Sequence, residues 1–138
     1  MHSSLDRFFQ AQEYDYQTAL AEVKAGYKCS HWMWYIFPQL KGLGFSSTAQ
    51  FYGINGRDEA KAYLEHPVLG ARLREITSVL LTLEVKSAVD IFGHTDAMKL
   101  RSSMTLFNAV ANGEDLFQKV LDKYYEGKAD DRTLAMLE

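Results

Sequence analysis

One cysteine and two prolines are all that this 138-residue chain contains of either residue. A lone Cys29 excludes an internal disulfide and suits a reducing compartment. Pro38 and Pro67 leave every long periodic run uninterrupted. No apolar run approaches the roughly 20 residues that span a bilayer. Met1-His2-Ser3-Ser4 lacks the basic start and apolar stretch of a signal peptide. The expectation is a cytoplasmic protein with no membrane partner. Positive charge is also scarce: 15 Lys and Arg stand against 18 Asp and Glu, for a net charge of −3. The basic residues are scattered, which argues against nucleic acid as a partner. The four histidines (His2, His31, His66, His94) have no i,i+4 pairing and Cys29 has no partner, so no metal site is expected. Neither a Gly-x-Ser-x-Gly elbow nor a Gly-x-Gly-x-x-Gly fingerprint is present, and no cofactor is expected. No segment alternates at period two, which excludes an extensive sheet.

Large amphipathic side chains, in contrast, are concentrated. His31-Trp32-Met33-Trp34-Tyr35-Ile36-Phe37-Pro38 holds both tryptophans together with a tyrosine, a phenylalanine and a histidine. Indole, phenol and imidazole all need partners when buried. The segment is therefore a polar-threaded core or the wall of a pocket. On a helix, His31, Trp34 and Tyr35 share one face, and Trp32 and Ile36 another.

Period-3.6 patterning runs through the rest of the chain and predicts an all-α single domain, residues 1–138, of about seven to eight mostly short helices. Ser3 and Ser4 are candidate caps of a short first helix carrying Leu5, Phe8, Phe9 and Gln12. Tyr16, Leu20, Val23 and Tyr27 mark a second helix closed by Gly26. Short helices follow over 46–53 and 58–65. The clearest helix runs from Pro67 to about Leu83, with Leu69, Leu73, Ile76, Leu80 and Leu83 as its stripe and Pro67 at its first position. A turn at Ser87–Phe92 ends at Gly93. Further helices cover Asp96–Ala111, Glu114–Tyr125 and Asp131–Leu137.

Four constellations could carry chemistry. The aromatic segment offers a surface for a flat ligand, or simply core. Gly42-Leu43-Gly44-Phe45-Ser46-Ser47, opening the helix with Gln50, is an anion cradle of backbone amides or a turn and cap. At His66-Pro67-Val68-Leu69-Gly70-Ala71-Arg72, proline pushes His66 to the helix start, where the dipole disfavours the imidazolium. Arg72 could bind a phosphate or carboxylate in bidentate fashion, or serve as a structural arginine. Gly70 inside a helix implies a close neighbour. On a wheel of residues 96–110, Asp96, Lys99 and Ser103 fall within the apolar arc of Leu100, Leu106, Phe107 and Val110, while Arg101, Thr105 and Asn108 lie opposite. Charges on a core-facing surface need partners: each other, or a ligand.

The first of these segments, with Gly42-Leu43-Gly44, Tyr63-Leu64-x-His66-Pro67-Val68-Leu69-Gly70-x-Arg72-Leu73 and Asp90-Ile91-Phe92-Gly93, resembles a widespread bacterial family of uncharacterised proteins. Its members often carry the label "calpastatin". The resemblance covers nearly the whole chain and implies an all-helical fold. Calpastatin segments are extended, weakly hydrophobic chains, so a compact aromatic-rich chain argues against calpain inhibition. A looser likeness relates the His-Pro element to the NADAR N-glycosidases. Their glutamate-bearing element has only Ser46-Ser47-Thr48-Ala49-Gln50-Phe51-Tyr52 as its counterpart here, without the glutamate.

Together these features suggest one pocket that binds a nucleotide-like or phosphorylated small molecule, such as an ADP-ribose derivative, with hydrolysis an open question. His31, Trp34 and Tyr35 would line it and Ser46, Gln50, Arg72 and Lys99 would anchor the ligand, with His66 or Asp96 as acid or base. The alternative is a non-catalytic binding or scaffold module in which these polar groups stiffen the core. The sequence carries no signal of oligomeric state.

Overall fold

A computed structural model describes residues 5–84 and 87–138, so Ser3 and Ser4 lie outside the described residues. Within them the chain folds as nine helices around one apolar core: α1 (Asp6–Lys24), α2 (Met33–Ile36), α3 (Ser47–Phe51), α4 (Gly56–Glu65), α5 (Leu69–Thr82), α6 (Ala88–Phe92), α7 (His94–Val110), α8 (Leu116–Tyr125) and α9 (Asp131–Leu137). No helix among the described residues is long and apolar enough to cross a membrane. Among the described residues the nearest approach to a sheet is one isolated parallel bridge between Leu40 and Ile54.

The two short helices expected at the start are one. Phe8, Gln12, Tyr16, Ala19, Leu20 and Val23 form a continuous buried face along α1. Gln12 belongs to that face because its amide donates to the Tyr35 carbonyl and the Tyr63 hydroxyl, each at 2.8 Å. The helix ends where Gly26 takes φ +76° and the Tyr27 amide returns to the Glu22 carbonyl, a left-handed C-terminal cap. Tyr27, expected on the apolar stripe, is therefore beyond the helix and exposed.

Pro67 sits in the turn before α5 rather than at its first position. His66 Nδ1 accepts from the Val68 and Leu69 amides, both at 3.1 Å, so the imidazole does the capping. The aromatic segment yields only the single helical turn α2, with Trp32 before it and fully buried.

Helix α7 is the central element, packed against α4, α6, α8 and α9, while α5 joins α1, α4 and α8. Gly93, at φ +81°, closes α6 and opens α7. Thr105, expected toward solvent, is buried because the segment before α9 runs over it. Its Oγ accepts from the Asp130 amide at 2.9 Å and donates to the Arg101 carbonyl at 2.8 Å. Asp130 in turn caps α9.

Candidate functional site

Three stretches distant in sequence meet beside the first half of α7. Thr95, Met98, Lys99 and Ser102 recur at spacings of three, one and three, which sets them on one face of that helix. The loop Gln39–Gly44 faces them, and Asp130 and Arg132 close the third side. Between them lies an open cleft of about 330 Å³, at the small end of the range for ligand sites. Gln39 and Lys99 also line a narrow recess with Met33, Trp34, Phe37, Ala49 and Tyr52. At about 10 Å³, it has room for one water and not for a ring.

Charge in the cleft is mostly positive, with Lys99, Arg101 and Arg132 facing a single carboxylate, Asp130. Arg101 also ties down the wall: its guanidinium donates to the Lys128 and Ala129 carbonyls, each at 2.9 Å. Arg132 is exposed and makes no hydrogen bond or ion pair among the described residues.

Lys99 Nζ lies 3.3 Å from Asp96 Oδ1 and 4.6 Å from the Trp34 ring centroid. Asp96 Oδ2 lies 2.9 Å from the Nζ of Lys28, whose side chain is only 7% exposed. Lys28 in turn lies 5.0 Å from the Trp32 ring centroid. Asp96 in the first turn of α7 also suits the helix dipole. One carboxylate thus serves two ammonium groups, and the cluster keeps one net positive charge at the cleft.

This arrangement predicts unequal costs. Lys99→Met should cost less than about 1 kcal/mol, because Lys28 still neutralises Asp96. Lys28→Met should cost about 1–2 kcal/mol, since it removes the more buried partner. Urea denaturation of both variants checks the order, and equal losses would contradict it.

The residues singled out in the sequence do not converge on one pocket. Lys99 lies in the cleft and Trp34 in its recess, with Asp96 directly behind Lys99. The Trp34 face that was expected to stack a flat ligand is covered by the Lys99 ammonium. Ser46 caps α3 by accepting from the Ala49 amide, and Gln50 braces the Phe45 carbonyl, so the glycine-serine loop is a turn and cap beside the recess. His31 is exposed. Tyr35 turns its hydroxyl to Asp15 and to the His31 carbonyl. Burial first, then the Asp15 hydrogen bond and charge, push the Tyr35 hydroxyl pKa well above its ordinary value.

His66 and Arg72 belong to the α1–α5 face. Arg72 pairs with Glu13 at 2.8 Å and lies against the Phe9 and Tyr16 rings, and Tyr16 donates to Glu75. Burial, reinforced by Glu75, raises the Tyr16 hydroxyl far above the ordinary tyrosine range.

Gln39, Asp130 and Arg132 were not foreseen as site residues. Gln39 follows the aromatic segment directly, after Pro38. Nothing near Asp130 and Arg132 in the sequence points to a cleft.

A family described as "Protein of unknown function (DUF1810)" matches residues 2–137 of the chain. The crystal structure of the conserved hypothetical protein Rv1873 from Mycobacterium tuberculosis is similar, with 47% sequence identity and a TM-score of 0.94. The match covers 96% of this chain and 95% of that one. No curated protein matches the sequence significantly.

Proposed function

The chain belongs to the DUF1810 family of proteins of unknown function, and from that premise we propose, on its own geometry, that it binds a small phosphorylated molecule in the cleft beside α7. The observation that carries this reading is the charge balance: three cationic side chains against one carboxylate around a compact open volume. Lys99 brings a positive charge that its ion pair leaves uncompensated, and Arg132 brings a guanidinium with no protein partner among the described residues. A fork-shaped donor and a point charge on the walls of one cleft suit phosphate oxygens.

A nucleotide-like ligand, an ADP-ribose derivative included, would have to lay its flat part on Met98 and Leu43, since the Trp34 face is occupied. Binding is favoured over hydrolysis. Asp96 holds a lysine at each oxygen and His66 Nδ1 is engaged by backbone amides, so neither stands ready to activate water.

The test is a thermal-shift and calorimetric panel of pyrophosphate, nucleoside monophosphates and sugar phosphates on the wild type and Lys99→Met. At least one probe should raise the wild-type melting temperature. Lys99→Met should weaken that probe roughly tenfold or more while the fold is retained. If no probe binds, or if Lys99→Met binds equally well, the reading fails.

A further inference from the structure

Asp130 is out of place in a cleft that collects cations. Its Oδ2 accepts from the Thr133 amide at 3.0 Å and the Thr133 hydroxyl at 2.6 Å, which completes the cap of α9. Its Oδ1 makes no hydrogen bond among the described residues. Across the cleft, the half-buried side-chain amide of Gln39 likewise has no hydrogen-bond partner among the described residues. A bare anion filling this volume would lie near the carboxylate, and like charges brought together cost affinity. Hydroxyl donors on the ligand reverse that sign, because a carboxylate accepting from O–H makes a strong, short hydrogen bond. The Gln39 amide offers one acceptor and two donors, a set that hydroxyl groups can satisfy.

We propose that the cleft takes a hydroxyl-bearing phosphate monoester, a sugar or polyol phosphate, with its phosphate on Lys99 and Arg132 and its hydroxyls on Asp130 and Gln39. This rests on the phosphate-binding reading above and narrows it. Asp130 then acts as a specificity element: it rejects inorganic phosphate and simple alkyl phosphates by repulsion and admits polyols by hydrogen bonding.

Asn is as good a helix cap as Asp, so Asp130→Asn removes the charge while keeping α9 in place. Calorimetric titration of the wild type and this variant with ribose phosphate, glycerol phosphate, propyl phosphate and inorganic phosphate tests the proposal. Glycerol and propyl phosphate differ only in their hydroxyls. In the wild type, ribose and glycerol phosphate should bind roughly tenfold or more tightly than propyl phosphate. In Asp130→Asn that gap should shrink, and inorganic phosphate should bind more tightly than it does to the wild type.

Equal binding of glycerol and propyl phosphate to the wild type would overturn the proposal while leaving phosphate binding intact. A gap unchanged in Asp130→Asn would overturn the role of Asp130. If none of the four binds, this proposal falls, and the phosphate reading falls with it when pyrophosphate and the nucleoside monophosphates fail as well. Adding AMP separates the two sources of this chemistry. Equal affinity for AMP and ribose phosphate assigns a free sugar phosphate, whereas much tighter AMP binding assigns the ribose phosphate of a nucleotide.

Discussion

Glu22→Ala should destabilise the protein by about 3–4 kcal/mol. The Glu22 carboxylate gathers four donors from the turn after α1: the Cys29 amide at 2.7 Å, the Ser30 amide at 3.0 Å, the Ser30 hydroxyl at 2.6 Å and the Trp32 indole at 2.9 Å. Trp32 is fully buried, so its N–H has no water to turn to when the carboxylate is removed. An unpaired buried donor costs its full desolvation, and the loss of charged hydrogen bonds adds to it.

Burial alone would raise the Glu22 pKa, but the hydrogen bonds from Ser30, Cys29 and Trp32 outweigh it and hold the carboxyl at about 2, against an ordinary 4.5. The folded value is depressed, so the unfolded chain binds this proton first. The stabilisation is complete above 4.5 and is lost as pH falls through about 2. Glu22→Gln should lack this component of the acid sensitivity. Urea titrations of the three proteins across that range test both statements. A loss below about 1 kcal/mol in Glu22→Ala would show that the turn is held by other contacts.

Gly70→Ala should cost about 3 kcal/mol, against the direction that helix propensity alone predicts. Alanine ordinarily gains about 1 kcal/mol over glycine inside a helix. Here a Cβ would lie 2.1 Å from the Leu64 carbonyl oxygen and 2.9 Å from its carbon. Both are backbone atoms at the end of α4, so relief requires moving one helix against the other. The clash is hard to escape because Arg74 locks the same junction. Its Nη1 donates to the Leu64 carbonyl at 3.1 Å, and its other nitrogens hold Glu114. A denaturation midpoint equal to or above that of the wild type would mean that α4 and α5 can part freely.

The close approach at Gly70 was legible in the sequence because a helical glycine without a turn to serve needs a neighbour. The stripe Leu69, Leu73, Ile76 and Leu80 of α5 was legible for a similar reason, since local period and burial agree there. The bounds of α9 coincide with the expected Asp131–Leu137. The single helix α1 was not legible. From the sequence, Gln12 ends a short first helix and Tyr16 starts a second, whereas the Tyr35 carbonyl and Tyr63 hydroxyl, brought in by other elements, make Gln12 interior to one continuous helix. Lys99 stood out as a charge on an apolar arc, and the structure places it between Asp96 and the cleft. Asp130 and Arg132 lie in an outwardly polar segment whose direction is set by Arg101 and Thr105, 25 to 28 residues before the backbone groups they hold. On residue type alone, Arg72 groups with Lys99 as an anion anchor and His66 joins them as an acid or base. Residue type does not reveal that the start of α5, with His66 capping it, turns both His66 and Arg72 toward Phe9 and Glu13 of α1 instead.

The way Arg101 grips the Lys128 and Ala129 carbonyls bears on how the protein is made. The cleft exists only when residues 39–44, 95–102 and 130–132 are all in place, and the grip on residues 128 and 129, with the Asp130 amide on Thr105, holds the last of them. A polypeptide leaves the ribosome N-terminus first, and a single domain folds as a unit. Until α7 has emerged, Tyr63 lacks the Phe107 ring that lies 5.3 Å from it, and the cleft lacks Thr95, Met98, Lys99 and Ser102. Competence to bind would come with the α9 segment, late and all at once. A ligand in the cell would therefore select finished molecules over nascent ones, and its occupancy would report completion of the fold.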